Sequence, residues 1–464
     1  MAIVTINDEH LVNIAAAIRG KNGTQDTYKP VDMAPAIAAI TGGGGSAEIK
    51  YRTADEIYAQ DRPADWPVLP DPIVDNKETY FLCKTETIGK VTAQRGSVGY
   101  IDNNGNYVAV VNVSGAYSGA YGYWAEQDIS SSWDSRMDKY YVYKAEDGYD
   151  FTAESHSSSS SPAVCTVNVL EIKTSYPNPM FGGRTKDTDS KYDTYRSKFP
   201  NVVFISFYGP QDWTRADYKF QYFYSLRCLR FDSNENNAFL RENSKITTAA
   251  YMFDNCLAYQ AEIQITPAWS ALTTISYMCN GCRSLPKLTL DSPTVTSAST
   301  VISSSGDYLE EFYVNLPGIT SSSTYLTGSN AGVNKVTRLN MSGITASSQY
   351  LTSYAMSRAR EVYNVLINKS SQSSWTLAPS SFVKRYTFAP EQTAANLPTK
   401  ITMNYFNPSR EGLIEFLESL PDATGLGKTL AFGSYSIIGQ ADPSYSIDED
   451  ALNIAIAKGY TVTY

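Results

Sequence analysis

The chain has 464 residues, 38 Lys and Arg against 47 Asp and Glu, and a net charge of -9. That length allows two to four domains, and an acidic chain without a basic cluster is a poor partner for a phosphate backbone. Two histidines, His10 and His156, leave little for His-based metal sites or catalytic triads.

The first ten residues, MAIVTINDEH, lack the basic and apolar regions of a secretory signal. No apolar run approaches the roughly 18 residues of a membrane span. Six cysteines (83, 165, 228, 256, 279, 282) are sparse, and a reduced state in the cytosol of synthesis is expected. Tyrosine outnumbers phenylalanine, 35 to 17. Tyrosine offers both a ring and a hydroxyl, which suits adhesive contact, although strands use it as well.

Residues 1–41 read as two short helices. Leu11, Ile14, Ala15 and Ile18 share one face; Asn7 or Asp8 can cap the start and Gly20 the end. A second helix is expected in KPVDMAPAIAAI, with Met33 and Ile37 on it. TGGGGS, 41–46, opens a Gly/Pro-rich linker assigned to 42–73. Its prolines 63, 67, 70 and 72 keep EIYAQDRPADWPVLPDP extended, and Trp66 is expected to dock on a neighbour.

From 74 to 173 the alternation has period two. ETYFLCK, GKVTAQ, SVGYID, NYVAVVNV, KYYVYK and TVNVLEIK are strand candidates, and Asn104-Gly105 marks a hairpin. A small antiparallel β-sandwich is expected here, with the serine run 157–161 as a loop. Residues 174–199 form a polar connector.

From 200 to 464 an apolar signature recurs: SLRCLRF, AEIQI, LPKLTL, LEEFYV, VTRLNM, VYNVLI and VKRYTF. The middle residues 263, 288, 312, 339, 365 and 386 are 25, 24, 27, 26 and 21 apart, the range of leucine-rich repeats. YMFDNCLAY at 251 and YMCNGCRSL at 277 repeat with an offset of 26, so Cys282 takes the register of Cys256 and Cys279 that of Phe253. A position that accepts Phe in one rung and Cys in the next is a packing position, which favours a rung over the zinc or redox site that Cys-x-x-Cys otherwise invokes. The strands of such a solenoid line up in parallel, and residues between the apolar ones point outward. Arg227, Arg230, Lys287, Thr289, Glu311, Tyr313, Arg338, Asn340, Tyr363 and Lys384 are therefore the candidate contact residues for a large partner. The alternative for any one of them is a merely solvated strand residue. SREGLIEFLESL and IDEDALNIAIAK, the latter with a Ser446/Glu449 capping box, give a helical C-terminal cap before a last strand, YTVTY.

Three other motifs carry no chemistry. GLGKT at 425–429 has Asp422 where a nucleotide loop needs glycine. DTDSKYD at 187–193 has Lys191 at a calcium-ligand position. Glu310 and Glu311, adjacent in a strand, are expected on opposite faces and so cannot flank one glycosidic bond. No catalytic residues, metal site or cofactor are expected.

INDEHLVNIAAAIRGKNGTQDTYKPVDMAPAIAAI resembles an N-terminal module of tail and baseplate proteins from phages infecting Firmicutes; RPADWPVLPDP is similar to an element of the same proteins. The YMFDNC and YMCNGC rungs resemble BspA-like leucine-rich repeats, and TGLGKTLAFG with DEDALNIAIAKGYTV resembles the close of such arrays. Rungs after 300, SSSTYLTGSN and ASSQYLTSYA, depart from that pattern. The resemblance implies a multidomain, mainly β protein: an N-terminal α-helical docking module, a small antiparallel β-sandwich and a C-terminal leucine-rich-repeat solenoid. It implies a receptor-binding protein in the virion tail, made in the host cytoplasm. The face of Leu11, Ile14, Ile18, Met33 and Ile37 would dock on a baseplate or tail protein. The solenoid would bind a host surface glycan or protein. Such proteins are usually homotrimers; no nucleic-acid partner and no membrane insertion are implied. A bacterial surface adhesin and a tail-associated polysaccharide depolymerase are the alternatives.

Overall fold

The computed structural model describes residues 51–93, 96–113, 125–145, 168–179, 199–239, 244–302, 308–320, 326, 332–344, 359–377, 383–404, 406, 408–433 and 449–463. The two expected N-terminal helices, the tail-docking residues on them, the glycine run, Ser446, Cys165 and the 187–193 motif lie outside these residues. The chain divides into Met1–Tyr51 and a second compact unit, Arg52–Tyr464. Every described helix and strand lies in the second unit.

The first element of that unit is helix α1 (Ala54–Asp61), inside the stretch assigned to the linker. Thr53 caps it: the Thr53 hydroxyl accepts from Glu56 N at 3.2 Å, and the Glu56 carboxylate accepts from Thr53 N at 2.8 Å. Arg62, held extended ahead of Pro63, ends it. The Pro-studded strap beyond it is tied to the sheet by side-chain bonds. Arg62 donates to Glu171 Oε2 at 2.9 Å and to the carbonyls of Trp66 and Pro67. Trp66 packs edge-on to Phe204, and Leu69 is buried against Tyr80, Leu82 and Val142. Lys173 donates to the Leu69 carbonyl and to Asp71. The linker expected over 42–73 therefore gives way, from Arg52 on, to a helix and a strap.

Strands β1 (Thr79–Lys84), β3 (Gly96–Ile101), β4 (Tyr107–Val113), β6 (Tyr140–Ala145) and β7 (Val169–Thr174) form an antiparallel sheet in the order β4-β3-β6-β1-β7. The hairpin at Asn104-Gly105 is present: Gly105 has φ +81°, and Asp102 accepts from the amides of Asn104 and Asn106, each at 2.8 Å. A second, two-stranded ribbon pairs β2 (Lys90–Ala93) with β5 (Ala125–Asp128). The expected strands and their antiparallel pairing are present, but they form a sheet and a ribbon, and a sandwich is not shown. One face of β1 and β6 is covered by the strap through Leu69 rather than by a sheet.

The sheet does not end at β7. β8 (Phe204–Phe207) and β9 (Cys228–Phe231) continue it in parallel, Ile172 to Ile205 to Leu229. A six-stranded parallel sheet comes next: β10 (Ile263–Ile265), β11 (Lys287–Asp291), β12 (Tyr308–Asn315), β13 (Gly332–Asn340), β14 (Glu361–Leu366) and β16 (Arg385–Phe388). These strands belong to a β-solenoid of about seven turns in a mainly β chain with few helices. Its inward ladder is Ile263, Leu288, Phe312, Val336, Val362, Tyr386, at intervals of 25, 24, 24, 26 and 24 residues. The sequence intervals of 27, 26 and 21 arise from choosing Leu339 and Val365, which sit one step further along the ladder, beside Val314 and Phe388. The cause is a bulge in β13 and in β14. Each has two residues between inward positions where β11 has one, and in β14 one of them, Asn364, has φ +53°.

A smaller parallel sheet closes the C-terminal end: β15 (Ser374–Leu377), β17 (Lys400–Met403), β18 (Thr429–Phe432) and β19 (Thr461–Thr463). Helix α2 (Arg410–Ser419), capped by Ser409, lies between β17 and β18, and α3 (Glu449–Ala457) between β18 and β19, as expected of the cap. One apolar core runs from Ile57 to Tyr460, so every rung is buried against its neighbours. Among the described residues no helix is long and apolar enough to cross a membrane.

Candidate functional site

Two long faces of the solenoid are built by repetition: the strand face over β9–β16, and a turn face formed by the segments 214–223, 247–256, 273–282 and 296–302.

On the strand face, alternate residues of β11 point out, and the rows they start are continued by neighbouring strands. The first row is Lys287, Glu311, Lys335, Glu361, Arg385, each hydrogen-bonded strand placing its residue beside the next. The sign alternates at every step. Glu262 extends the row at one end, 3.2 Å from Lys287, and Glu415 at the other, 3.3 Å from Arg385. Lys287 also lies 3.9 Å from Glu311. Opposite charges side by side on adjacent strands favour this register, and a slip would bring like charges together. The third row is an amide ladder: Asn315 donates to Asp291 at 2.8 Å, and Asn340 to Asn315 at 2.6 Å.

These rows redistribute the candidate contact residues. Arg227 and Arg230 lie beneath α1: Arg227 pairs with Asp61 at 3.0 Å, and Arg230 pairs with Asp55 at 2.7 Å while its guanidinium sits over the Tyr58 ring. Lys287 and Glu311 belong to the charge row, and Asn340 is buried in the amide ladder. Tyr363 stands between Lys335, whose ammonium is 5.5 Å from the ring, and Arg385, which donates to its hydroxyl at 3.4 Å. Thr289, Tyr313 and Arg338 share the middle row; Thr289 donates to Glu262, and Arg338 pairs with Glu391. Burial pushes the Tyr313 phenol up. Lys384 is exposed just ahead of β16. Lys335, Glu361 and Arg385 escaped sequence reasoning; the signal was the fixed offset of each from the apolar residue after it.

Glu310 and Glu311 need correction. Both are half-exposed, because their amides share the Pro286 carbonyl at 3.0 and 3.1 Å and the strand is irregular there. Strict alternation does not hold at that point. Glu310 accepts from Asn334 at 3.0 Å and Glu311 takes its place in the charge row.

The turn face stacks through backbone hydrogen bonds. Phe253 N donates to Met278 O and Cys279 N to Val301 O, so Phe253 and Cys279 hold one register, both fully buried. Cys256 Sγ donates to Phe220 O at 2.9 Å and Cys282 Sγ to Phe253 O at 3.1 Å, the same contact one rung on. The Cys-x-x-Cys pair is thus part of two packing columns. The described cysteines are all buried, and burial pushes the thiols of Cys83 and Cys228 up to about 12. Lys428 of the GLGKT turn donates to its own chain, at Leu397 O, 2.6 Å away.

Between these columns stands Asp254, buried, accepting from Gln221 at 2.8 Å, Asn280 at 2.6 Å and Asn255 at 3.0 Å. Desolvation raises its carboxyl above the usual range, against those three donors. Outside it, Tyr218, Tyr251 and Tyr277 stack ring on ring, centroids 4.8 Å apart and planes within 10°.

No protein-family model matches the chain, and no curated protein or solved structure does either.

Proposed function

We propose that the chain is a phage tail or baseplate receptor-binding protein that attaches the virion to the host cell surface without catalysis. The observation that carries this reading is the in-register parallel ladder from Ile263 to Tyr386, which makes a stiff wall of repeated side chains suited to gripping an extended surface. The interval of 24 to 26 residues and the YMFDNC rungs support reading the solenoid as the BspA-like leucine-rich-repeat class. The antiparallel sheet ahead of it is read as the remnant of a small sandwich serving as a spacer. Residues 1–41 are read as the helical docking module, joined to a baseplate protein through Leu11, Ile14, Ile18, Met33 and Ile37. A homotrimeric assembly would make weak single contacts effective through avidity.

The test uses the full chain and a truncation lacking 1–41, which leaves the unit Arg52–Tyr464 whole. Both are expected to adhere to the phage's bacterial host, and only the full chain to enter virions. A truncated protein that still assembles overturns the docking assignment. A full chain that adheres to no bacterium overturns the attachment reading.

A further inference from the structure

One packing column of the turn face holds a lysine. Phe220 N donates to Met252 O, Phe253 N to Met278 O and Cys279 N to Val301 O, so Lys219, Met252, Met278 and Val301 occupy one register. All four are fully buried. Methionine serves that position in the next two rungs, so packing does not call for an amine in the first.

A buried ammonium is costly unless it is paired. Lys219 Nζ donates to Asn178 Oδ1 at 2.9 Å and lies 4.5 Å from the centre of the Trp213 ring. Asn178 stands between Pro177 and Pro179, which restrict its backbone. Asp212 N donates to Pro177 O at 2.8 Å, which ties this segment to the stretch that carries Trp213. The amide is thus held against the amine from both sides of the contact.

A lysine amine is a nucleophile toward carbonyl carbon. Attack on an amide needs the two atoms about 3–3.5 Å apart. A nitrogen already 2.9 Å from the oxygen on that carbon has a short way to move.

We propose that Lys219 and Asn178 join in an intramolecular isopeptide bond. The Nζ–Cγ bond forms and the Cγ–Nδ2 bond breaks. Both protons shed by the ammonium go to Nδ2, which leaves as an ammonium ion. Atoms and charge balance with no oxidant, reductant or further reactant. The buried carboxylate of Asp217, two residues along the same turn, is the candidate relay for those protons. The product is a neutral amide, so the charge in the apolar column is removed. The bond links the segment after β7 to the turn between β8 and β9, where the solenoid begins. It goes beyond the attachment reading and does not depend on it.

The experiment is mass spectrometry of the full chain, denatured and intact, followed by peptide mapping after trypsin. The chain is expected to weigh one ammonia less than its sequence. One branched peptide is expected to carry both Asn178 and Lys219, with no cleavage after Lys219. Lys219→Met, the residue the column takes next, and Asn178→Ser are each expected to show the full mass of their sequence. An unmodified chain at full mass, cleaved after Lys219 and with Asn178 intact, overturns the proposal. So does an ammonia loss that survives Lys219→Met, because ring closure at Asn104-Gly105 or Asn280-Gly281 gives the same shift. If Lys219→Met fails to fold, Asn178→Ser and the peptide map of the unmodified chain decide the matter.

Discussion

Reversing one charge in the strand-face row tests whether alternation holds the rungs in register. Lys335 stands between Glu311 and Glu361 on adjacent hydrogen-bonded strands, which lie about 4.8 Å apart. A favourable cross-strand charge pair contributes about 0.2–1 kcal/mol, and a like-charge pair opposes by a similar amount. Lys335→Glu converts two pairs, a swing of about 1–3 kcal/mol. It also removes the Lys335 ammonium from the Tyr363 ring, worth about 0.5–1 kcal/mol at a partly exposed site. The swap Glu311→Lys with Lys335→Glu keeps composition and net charge but sets like charges side by side at both flanks, against Lys287 and Glu361. Both variants are expected to lower the urea midpoint at low ionic strength. In 1 M salt, where the screening length is about 3 Å, most of the difference should vanish. A charge-swapped protein as stable as the original, or a loss that salt leaves untouched, refutes the idea that alternation sets the register.

Two further outcomes concern buried groups. Arg62→Ala strands the fully buried Glu171 carboxylate with the Tyr58 hydroxyl as its remaining side-chain donor; a loss of about 3–5 kcal/mol is expected in denaturant titration, and Arg62→Met with Glu171→Leu should recover much of it. Asp254 has a raised folded pKa, so the native state holds its proton where the unfolded chain has released it. Its contribution is therefore fully present below the unfolded value near 3.8 and lost as pH rises through the folded pKa. Asp254→Asn is expected to remove that decline, seen as a smaller fall in thermal midpoint from pH 4 to 7 than in the unmodified protein; an unchanged difference between pH 4 and 7 counts against it.

Sequence reasoning reached strands of two kinds, those with one face buried and those buried on both. LPKLTL falls on β11, where burial alternates, whereas ETYFLCK and KYYVYK fall on β1 and β6, which are buried on both faces, and were legible as aromatic-rich strand runs. The Phe253/Cys279 equivalence was legible because rungs stack identical backbone positions, so offset alone fixes register. It failed where local chemistry overrode the period. The bulges in β13 and β14 add a residue between inward positions, which shifts the apparent middle of VTRLNM and VYNVLI. Helix α1 was hidden by the prolines after it, although Thr53 and Glu56 spell a capping box. The candidate contact residues were read one strand at a time, but pairing between strands is non-local, and Asn340 is buried rather than outward. No spacing rule announces that Arg230 meets Asp55, or that Lys335 closes a row with Glu311 and Glu361.

On the attachment reading, the two faces would divide stability from recognition in a way that salt can separate. On the strand face, the row from Glu262 to Glu415 nearly cancels its own charge and projects little field beyond a few ångströms. Its amide ladder is likewise satisfied internally, so a partner docking there would have to displace bonds already made. On the turn face, the stacked rings of Tyr218, Tyr251 and Tyr277 carry no charge to screen. A ligand held by that face should therefore bind with an affinity that barely changes between about 50 mM and 500 mM salt, while the stability of the wall behind it does change. A receptor held by the charge row would show the opposite pattern: affinity falling with salt in step with the stability of the strand face.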